Sequence, residues 1–442
     1  MGNVGNGVLA VPFDNGGFVM KRVIAVLVVL ALTLSVLPTV SVSAEEVEFS
    51  YNGKLTDANL ARMVADGTIP KNVTTLNLGY NEITKLTPLS ELTSLKVLRL
   101  HNNQISDISP LSGLTELEFL VLSNTASYTE GNGNNINNLS PLSGLMNLEY
   151  LSIDGDLIND LTPLSGLTKL QGLHLTAKQS SNIDLKPLKS LTKLETLWIH
   201  CNRINDISPL SVLTNLDSLL LFSDKASNLD LSPISKLTKL ESLHLHLEKS
   251  NDLSPLSNLT ALEELFLYNN QITDISFLSG LVNLKSLDLS CNQITDISPL
   301  KNLINLGGFD GALDISHNQI SDLSPLSGLK DLRYLILDDN LITDLTPLYS
   351  LRNLSFYTLW DNPVTDEQVA ELRKNLKKAD IFLRVILAGE EPTIDDALEI
   401  LRYLAKLDSV YEEELLFKPT INDALEILKK LAKLESEFDE TE

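Results

Sequence analysis

The sequence predicts an α/β-type solenoid: short parallel strands stacked side by side, each returning through an extended or 3₁₀ segment, with a small all-α module at the C-terminal end. Three observations predict it. Leucines recur every 22 residues, as at Leu262, Leu284 and Leu306, and a fixed period in this range marks a repeat architecture. The text between them nearly repeats itself, reading LKSLDLSCNQITDISPLKNL from Leu284 and LRYLILDDNLITDLTPLYSL from Leu332. Near Lys378 this pattern stops and a different duplication, of period 27, takes over.

The N-terminal stretch, residues 1–44, is expected to lie outside the fold. Lys21 and Arg22 precede an apolar run from Val23 to Leu37, Pro38 breaks it, and small residues end at Ser43 and Ala44. A charged start, a short apolar core and a small-residue cleavage site describe a secretory signal peptide, with Met20 as an alternative start. The run is short for a membrane span of about 20 residues; a retained N-terminal anchor is the other reading. No second long apolar run is present, so no membrane span is expected in the mature chain. With 58 acidic and 34 basic residues the net charge is −24. That argues against nucleic acid, whose binders present basic surfaces, and suits a secreted protein or one that meets a basic partner.

Residues 45–72 are expected to hold an N-terminal cap. Leu55–Asp66 (LTDANLARMVAD) has helical spacing, with Thr56 or Asp57 at its start. Residues 73–362 hold about thirteen repeats, beginning at Val73 and ending with the unit at Leu354. Their consensus is L-x-x-L-x-L-x-x-N-x-I-x-D-I-x-P-L-x-x-L. The L-x-L segment is a strand. The Asn that follows it (Asn81, Asn103, Asn202, Asn270, Asn292, Asn318, Asn340, Asn362) is expected to be buried and to bond turn backbone that no strand satisfies. Pro110, Pro209, Pro299, Pro325 and Pro347 suit a tight or extended return. Insertions fall near Thr125–Asn135 and Gly307–Gly311, with two extra residues in each of the fifth and seventh units. The first is Gly- and Asn-rich and is expected to be a mobile loop. A C-terminal cap helix over 363–380 is expected from Asp366–Lys378 (DEQVAELRKNLKK), acidic at its start and basic at its end.

This consensus matches the leucine-rich repeat, and its I-x-D-I-x-P-L segment resembles the internalin-type repeats of bacterial surface proteins. The resemblance implies a horseshoe with a parallel concave sheet and a 3₁₀ or extended convex side. It also implies a protein ligand as partner. No Ig-like module is recognisable after the repeats, where internalins usually carry one.

Alternation along each strand sends the residues flanking the inward leucines to the concave face. In the central repeats this face collects His174, Trp198, His200, Phe222, His244, His246, Phe266 and Tyr268, beside the small residues Gly172, Thr196, Ser218, Ser242 and Ser286. His101 and His317 fall on it or at its edge. Exposed aromatics of this kind mark interaction sites, so these eight residues form the expected ligand-binding patch. Toward the C-terminal end the face turns acidic at Asp288, Asp314, Asp338, Asp339 and Asp361. Asp288, Asp314, Asp338 and Asp361 form an expected acidic subsite, either a solvated surface or a seat for a basic partner or cation.

No metal site is expected, because His200 lies two strands from His244 and His246 and no Cys–His cluster has zinc spacing. Nor is an enzyme expected. Gly131–Gly133 is not at a strand–helix junction, so it is no phosphate cradle, and most carboxylates belong to the repeat. Cys201 and Cys291 share one slot, four repeats apart, which at strand spacing is about 19 Å. A disulfide between them is excluded by the limit of about 7 Å, leaving two small thiols or an intermolecular bridge.

Residues 381–442 carry the second duplication, PTIDDALEILRYLAKLDS from Pro392 and PTINDALEILKKLAKLES from Pro419. Apolar residues recur at helical spacing, with Leu398 and Leu401 matching Leu425 and Leu428. Asp395, Asp396, Asn422 or Asp423 can cap the helices. The pair, including Tyr403, resembles a dockerin, a duplicated half EF-hand that plugs into cohesins. On that resemblance Asp396 and Asp423 match the last calcium ligand of each loop, and a cohesin-like scaffold is the implied partner. Val385 and Leu387 stand where carboxylates belong, and Glu412 and Glu414 are the substitutes in the second loop. Helices without strong calcium sites are therefore expected. No cofactor is expected, calcium in this module being the one alternative. The function read from the chain is secreted, cell-surface-associated protein binding. The alternatives are a carbohydrate-binding component of a polysaccharide-degrading complex, with polysaccharide as partner, and a structural spacer.

Overall fold

Short strands such as these are marginal alone and hold only through what they bury. The computed structural model describes residues 47–376, apart from 52–53, 125–132, 180–181, 224, 226–228, 248–251, 308–310 and 355. The expected signal peptide, the expected dockerin-like pair and much of the four insertions lie outside the described residues. The chain divides into two compact units, with the boundary between Leu194 and Glu195.

In the first unit the strands are β1 (Glu48–Ser50), β2 (Thr75–Asn77), β3 (Val97–Arg99), β4 (Phe119–Leu122), β5 (Tyr150–Asp154) and β6 (Gly172–Ala177). Each pairs in parallel with the next. Leu76, Leu98, Leu120, Leu151 and Leu173 are register partners and are fully buried. Each such leucine contributes about 1.5–3 kcal/mol, which is how three-residue strands persist. Strand β1 was not expected; it adds to the N-terminal cap. Helix α1 (Asp57–Ala65) lies within the expected Leu55–Asp66. Thr56 occupies the cap position without a side-chain bond, while Asp57 accepts from Thr84 N and Lys85 N and ties the helix to the next repeat.

The second unit contains β7 (Thr196–Cys201), β8 (Ser218–Ser223), β9 (Ser242–His246), β10 (Glu264–Phe266), β11 (Ser286–Asp288), β12 (Ala312–Asp314), β13 (Tyr334–Ile336) and β14 (Phe356–Thr358), again parallel in sequence order. Its leucine row runs from Leu197 to Leu335 and ends in buried Tyr357. Helix α2 (Asp366–Asn375) closes the described chain. Thr365 and Gln368 form a full capping box at its start.

The return segments are 3₁₀ turns, and the repeated Ser/Thr-Pro-Leu sits at their start. The Asp two residues earlier is a cap: Asp107, Asp206, Asp296 and Asp344 accept the backbone N–H of Ser109, Ser208, Ser298 and Thr346 at 2.8–2.9 Å. This Asx turn accounts for the Asp of the consensus without any chemistry. At Ser276–Gly280 the proline is replaced by buried Phe277.

The repeated Asn does what its slot demands. Asn292 Oδ1 accepts from Asn270 N and Ile272 N, and its Nδ2 donates to the carbonyls of Leu267, Leu289 and Ser290, all within 2.8–3.1 Å. Asn81, Asn103, Asn270, Asn318, Asn340 and Asn362 act alike. Two differences from the sequence reading emerge. Asn134, beyond the insertion, holds the ladder position in the third repeat. Asn202 makes no such side-chain bonds in the sixth repeat, and in the seventh Ser223 Oγ takes the Asn's part by accepting Ile204 N. The reason is that β5–β9 run five or six residues, so the chain stays extended where the other repeats turn. Hence Cys201 lies buried inside β7, whereas Cys291 is exposed in a turn at φ 57°. The shared sequence slot corresponds to two different backbone environments.

Candidate functional site

In the second unit the register lays the outward side chains in three rows. The first is small at its start: Thr196, Ser218 and Ser242 face one another across β7–β9. The second runs Trp198, Leu220, His244, Phe266, Asp288 and Asp314. The third runs His200, Phe222, His246 and then Tyr268.

The rings of the two long rows touch. His244 stacks on Phe266 with centroids 4.1 Å apart, and Phe222 stacks on His246 at 5.5 Å. His200 meets Phe222 at 5.5 Å and Tyr268 meets His246 at 5.2 Å. Trp198 donates its Nε1–H to Ser218 Oγ at 3.4 Å. Seven of the eight expected binding residues thus form one surface, each half-buried. Leu220, which is not among the expected binding residues, lies between Trp198 and His244 and completes the row.

The eighth residue, His174, belongs to the first unit. Phe119 and Tyr150 stack at 4.4 Å, and Tyr150 Oη hydrogen-bonds His174 Nδ1 at 3.0 Å. Arg99 lies over the Phe119 ring at 5.0 Å. Gly172 makes the Tyr150 position possible: a Cβ there would stand 2.6 Å from Tyr150 Cδ2. This Arg99–Phe119–Tyr150–His174 cluster was missed in sequence. The signal that could have found it is the recurrence of large rings and one glycine at the same strand position (Phe119, Tyr150, Gly172). His101 packs edge-on against Tyr80 at 4.9 Å and covers Gly79.

Burial governs the electrostatics. It pushes His174 and His244 down to about 4, so both imidazoles are neutral at pH 7. Burial first, then repulsion from Asp288, pushes Asp314 up to about 7. Asp288 is raised by burial, and Tyr268 is raised by burial and then by Asp288. In the first unit burial also raises Asp154 and Tyr150.

The expected acidic subsite divides. Asp288 and Asp314 are register partners on β11 and β12. Asp338 lies in the next row, buried, and accepts the backbone N–H of Trp360 at 2.9 Å. Asp361 does not join them: it is an exposed turn residue at φ 54°. Asp339 is also a turn residue, paired with His317 Nδ1 at 2.8 Å. The docking residues Asp395, Asp396, Leu398, Leu401, Tyr403, Asn422, Asp423, Leu425 and Leu428 lie outside the described residues. Among the described residues, no three His, Cys, Asp or Glu side chains are grouped to hold a metal ion. None of the described helices is long and apolar enough to cross a membrane.

Known proteins carry the same architecture. The family model for leucine-rich repeats (two copies) matches residues 71–113, 93–128, 260–302 and 312–350. Among solved structures, the chain is similar to an internalin from Listeria monocytogenes at 34% identity and a TM-score of 0.60, covering 76% of this chain and 94% of that one. A leucine-rich repeat protein of Leptospira interrogans shares the fold at 24% identity and a TM-score of 0.56, over 76% of this chain and 88% of that one. So does the plant peptide hormone receptor RGFR1, solved in complex with RGF2, at 19% identity and a TM-score of 0.52, over 75% of this chain and 56% of the receptor. No curated protein sequence matches. With the repeat, the Asn ladder and this identity over nearly the whole of the Listeria structure, the chain belongs to the internalin-type leucine-rich repeat family.

Proposed function

We propose that this chain is a secreted bacterial binding protein, not an enzyme, that recognises a protein ligand on the strand face of its second unit. The observation that carries the reading is the contiguous surface from Trp198 to Phe266 and from His200 to Tyr268. Rings of this size in contact with one another are rigid and already partly desolvated, so little side-chain entropy is lost when a partner covers them. The neutral His244 behaves there as a further flat ring. Family membership agrees, and the plant receptor of the same fold is known in complex with a peptide hormone. The C-terminal duplication supplies attachment, through a cohesin-like scaffold or cell-surface partner.

The test is affinity capture from culture medium and host-cell surface extracts, using the chain without residues 1–44. Trp198→Ala with Phe266→Ala should abolish recovery of the captured protein while leaving the circular dichroism spectrum intact. Unchanged recovery would remove the reading. A glycan array run in parallel decides the carbohydrate alternative: sugar binding lost in the same double variant, with no protein captured, would replace it.

A further inference from the structure

The ring surface ends abruptly in two carboxylates. Phe266 on β10 is the register partner of Asp288 on β11, which in turn faces Asp314 on β12. Adjacent strands are about 4.8 Å apart, so the two carboxylates stand side by side immediately past the ring. Each caps the turn that follows it. Asp288 Oδ1 accepts Ser290 N at 2.8 Å; Asp314 Oδ1 accepts Ser316 N at 2.9 Å and Ser316 Oγ at 2.6 Å. Among the described residues, no Lys or Arg forms an ion pair with either. The small side chains of Ser286 and Ala312 occupy the neighbouring row, between Glu264 and Tyr334. Tyr268, whose hydroxyl feels the Asp288 charge, stands at the ring end.

Two like charges held together, half out of water and without a counter-charge are costly to the protein. The upward shift of both carboxyls is the mark of that cost. Capping the following turn needs no charge, since Asn77 at the equivalent end of β2 accepts Gly79 N in the same way. A cation delivered by a partner removes the repulsion, and an aromatic wall beside it favours one with a flat head and an apolar stem. A planar guanidinium can reach two acceptor oxygens on adjacent strands at once, which a point-like ammonium does less well.

We propose that this face docks an extended, cationic segment of a protein partner, seating an arginine across Asp288 and Asp314 with its stem against Phe266 and Tyr268. This rests on the protein-binding reading above and adds the charge of the partner to it. The occupant follows from charge complementarity: the face offers rings and unmatched anions and sits on a chain of net charge −24.

The probe is a set of fluorescein-labelled nonapeptide pools, randomised in Leu, Tyr, Phe, Ser and Gly, with a fixed central Arg, Lys, citrulline or Glu. Anisotropy is read with the full chain, with Asp288→Asn/Asp314→Asn, and with Asp288→Asn alone should the double variant misfold. Wild type should bind the Arg pool at least about tenfold tighter than the isosteric, uncharged citrulline pool, and the Asn variants should erase that preference. No preference for Arg over citrulline in wild type, or one that survives in the Asn variants, overturns the assignment. A preference shared equally by Lys retains the cationic segment but overturns the guanidinium. The failures are separable: loss of the Arg preference with capture still sensitive to Trp198 and Phe266 removes only the charge assignment, whereas capture indifferent to those rings removes the binding face.

Discussion

Asp314→Asn should make the second unit more stable as pH rises, and the size of the effect follows from the site. The folded chain holds the Asp314 carboxyl at about 7, against an ordinary 3.8, because it is buried beside Asp288. A carboxyl raised on folding keeps its proton more tightly in the folded state. Its contribution is therefore fully present below about pH 4 and is lost as pH rises through 7. The full shift corresponds to about 4 kcal/mol, and about half that is expected once the water at the open side of the face is allowed for. Asparagine retains the Oδ acceptor for Ser316 N and removes the charge. The difference between variant and wild type should thus be near zero at pH 4 and grow to about 2 kcal/mol in the variant's favour by pH 8. Urea unfolding followed by tryptophan fluorescence is the assay. Both tryptophans, Trp198 and Trp360, lie in the second unit with Asp314. Titrating groups away from the pair are common to both proteins and cancel in the difference, whereas Asp288 is relieved of its neighbour's charge in the variant, which acts in the same direction. A difference that stays flat from pH 4 to 8 would refute the claim that the pair is a desolvated, unmatched anion.

Three other outcomes are expected. Asn292→Ala leaves two buried N–H groups and three carbonyls without their side-chain partner; a loss of about 3 kcal/mol is expected in urea titrations, and a loss below about 1 kcal/mol would show that water replaces the amide. Gly172→Ala forces Tyr150 from its stack on Phe119, at a cost of about 1–3 kcal/mol, and His174 should then titrate closer to its ordinary range in NMR spectra of the imidazole protons; an unchanged titration would contradict the packing. Because burial holds His174 and His244 near 4, both should stay neutral through pH 5. Their share of stability is then present above about pH 6.5 and lost as pH falls toward 4; imidazole titrations near 6.5 would overturn this.

Most of the ring-bearing strand face was legible because strand alternation is a local rule. Knowing that Leu243 points inward is enough to send His244 and His246 outward. The same rule could not say which outward residues touch. Residues 22 or more apart meet only through register, and register is altered by insertions and by strand length. Asn134 was hidden behind the third repeat's insertion. Asn202 looked like a ladder member until β7 proved to be extended through Cys201. Asp361 shared the acidic run in sequence but occupies a turn, not a strand.

What the sequence determined by itself was therefore the repeat, its inward leucines, the Asn and Asp that bond backbone nearby, and the collection of rings on one face. These follow from interactions within one or two repeats, where periodicity is a sufficient guide. Only the tertiary structure decided that His174 bonds Tyr150, which stacks on Phe119, that the seven expected rings and histidines of the second unit form one surface, and that this surface runs into Asp288 and Asp314. Those pairings depend on the stacking of separate strands. So do the desolvation and charge repulsion that make the two carboxylates unusual, because burial is a property of the assembled sheet and not of any one stretch of chain.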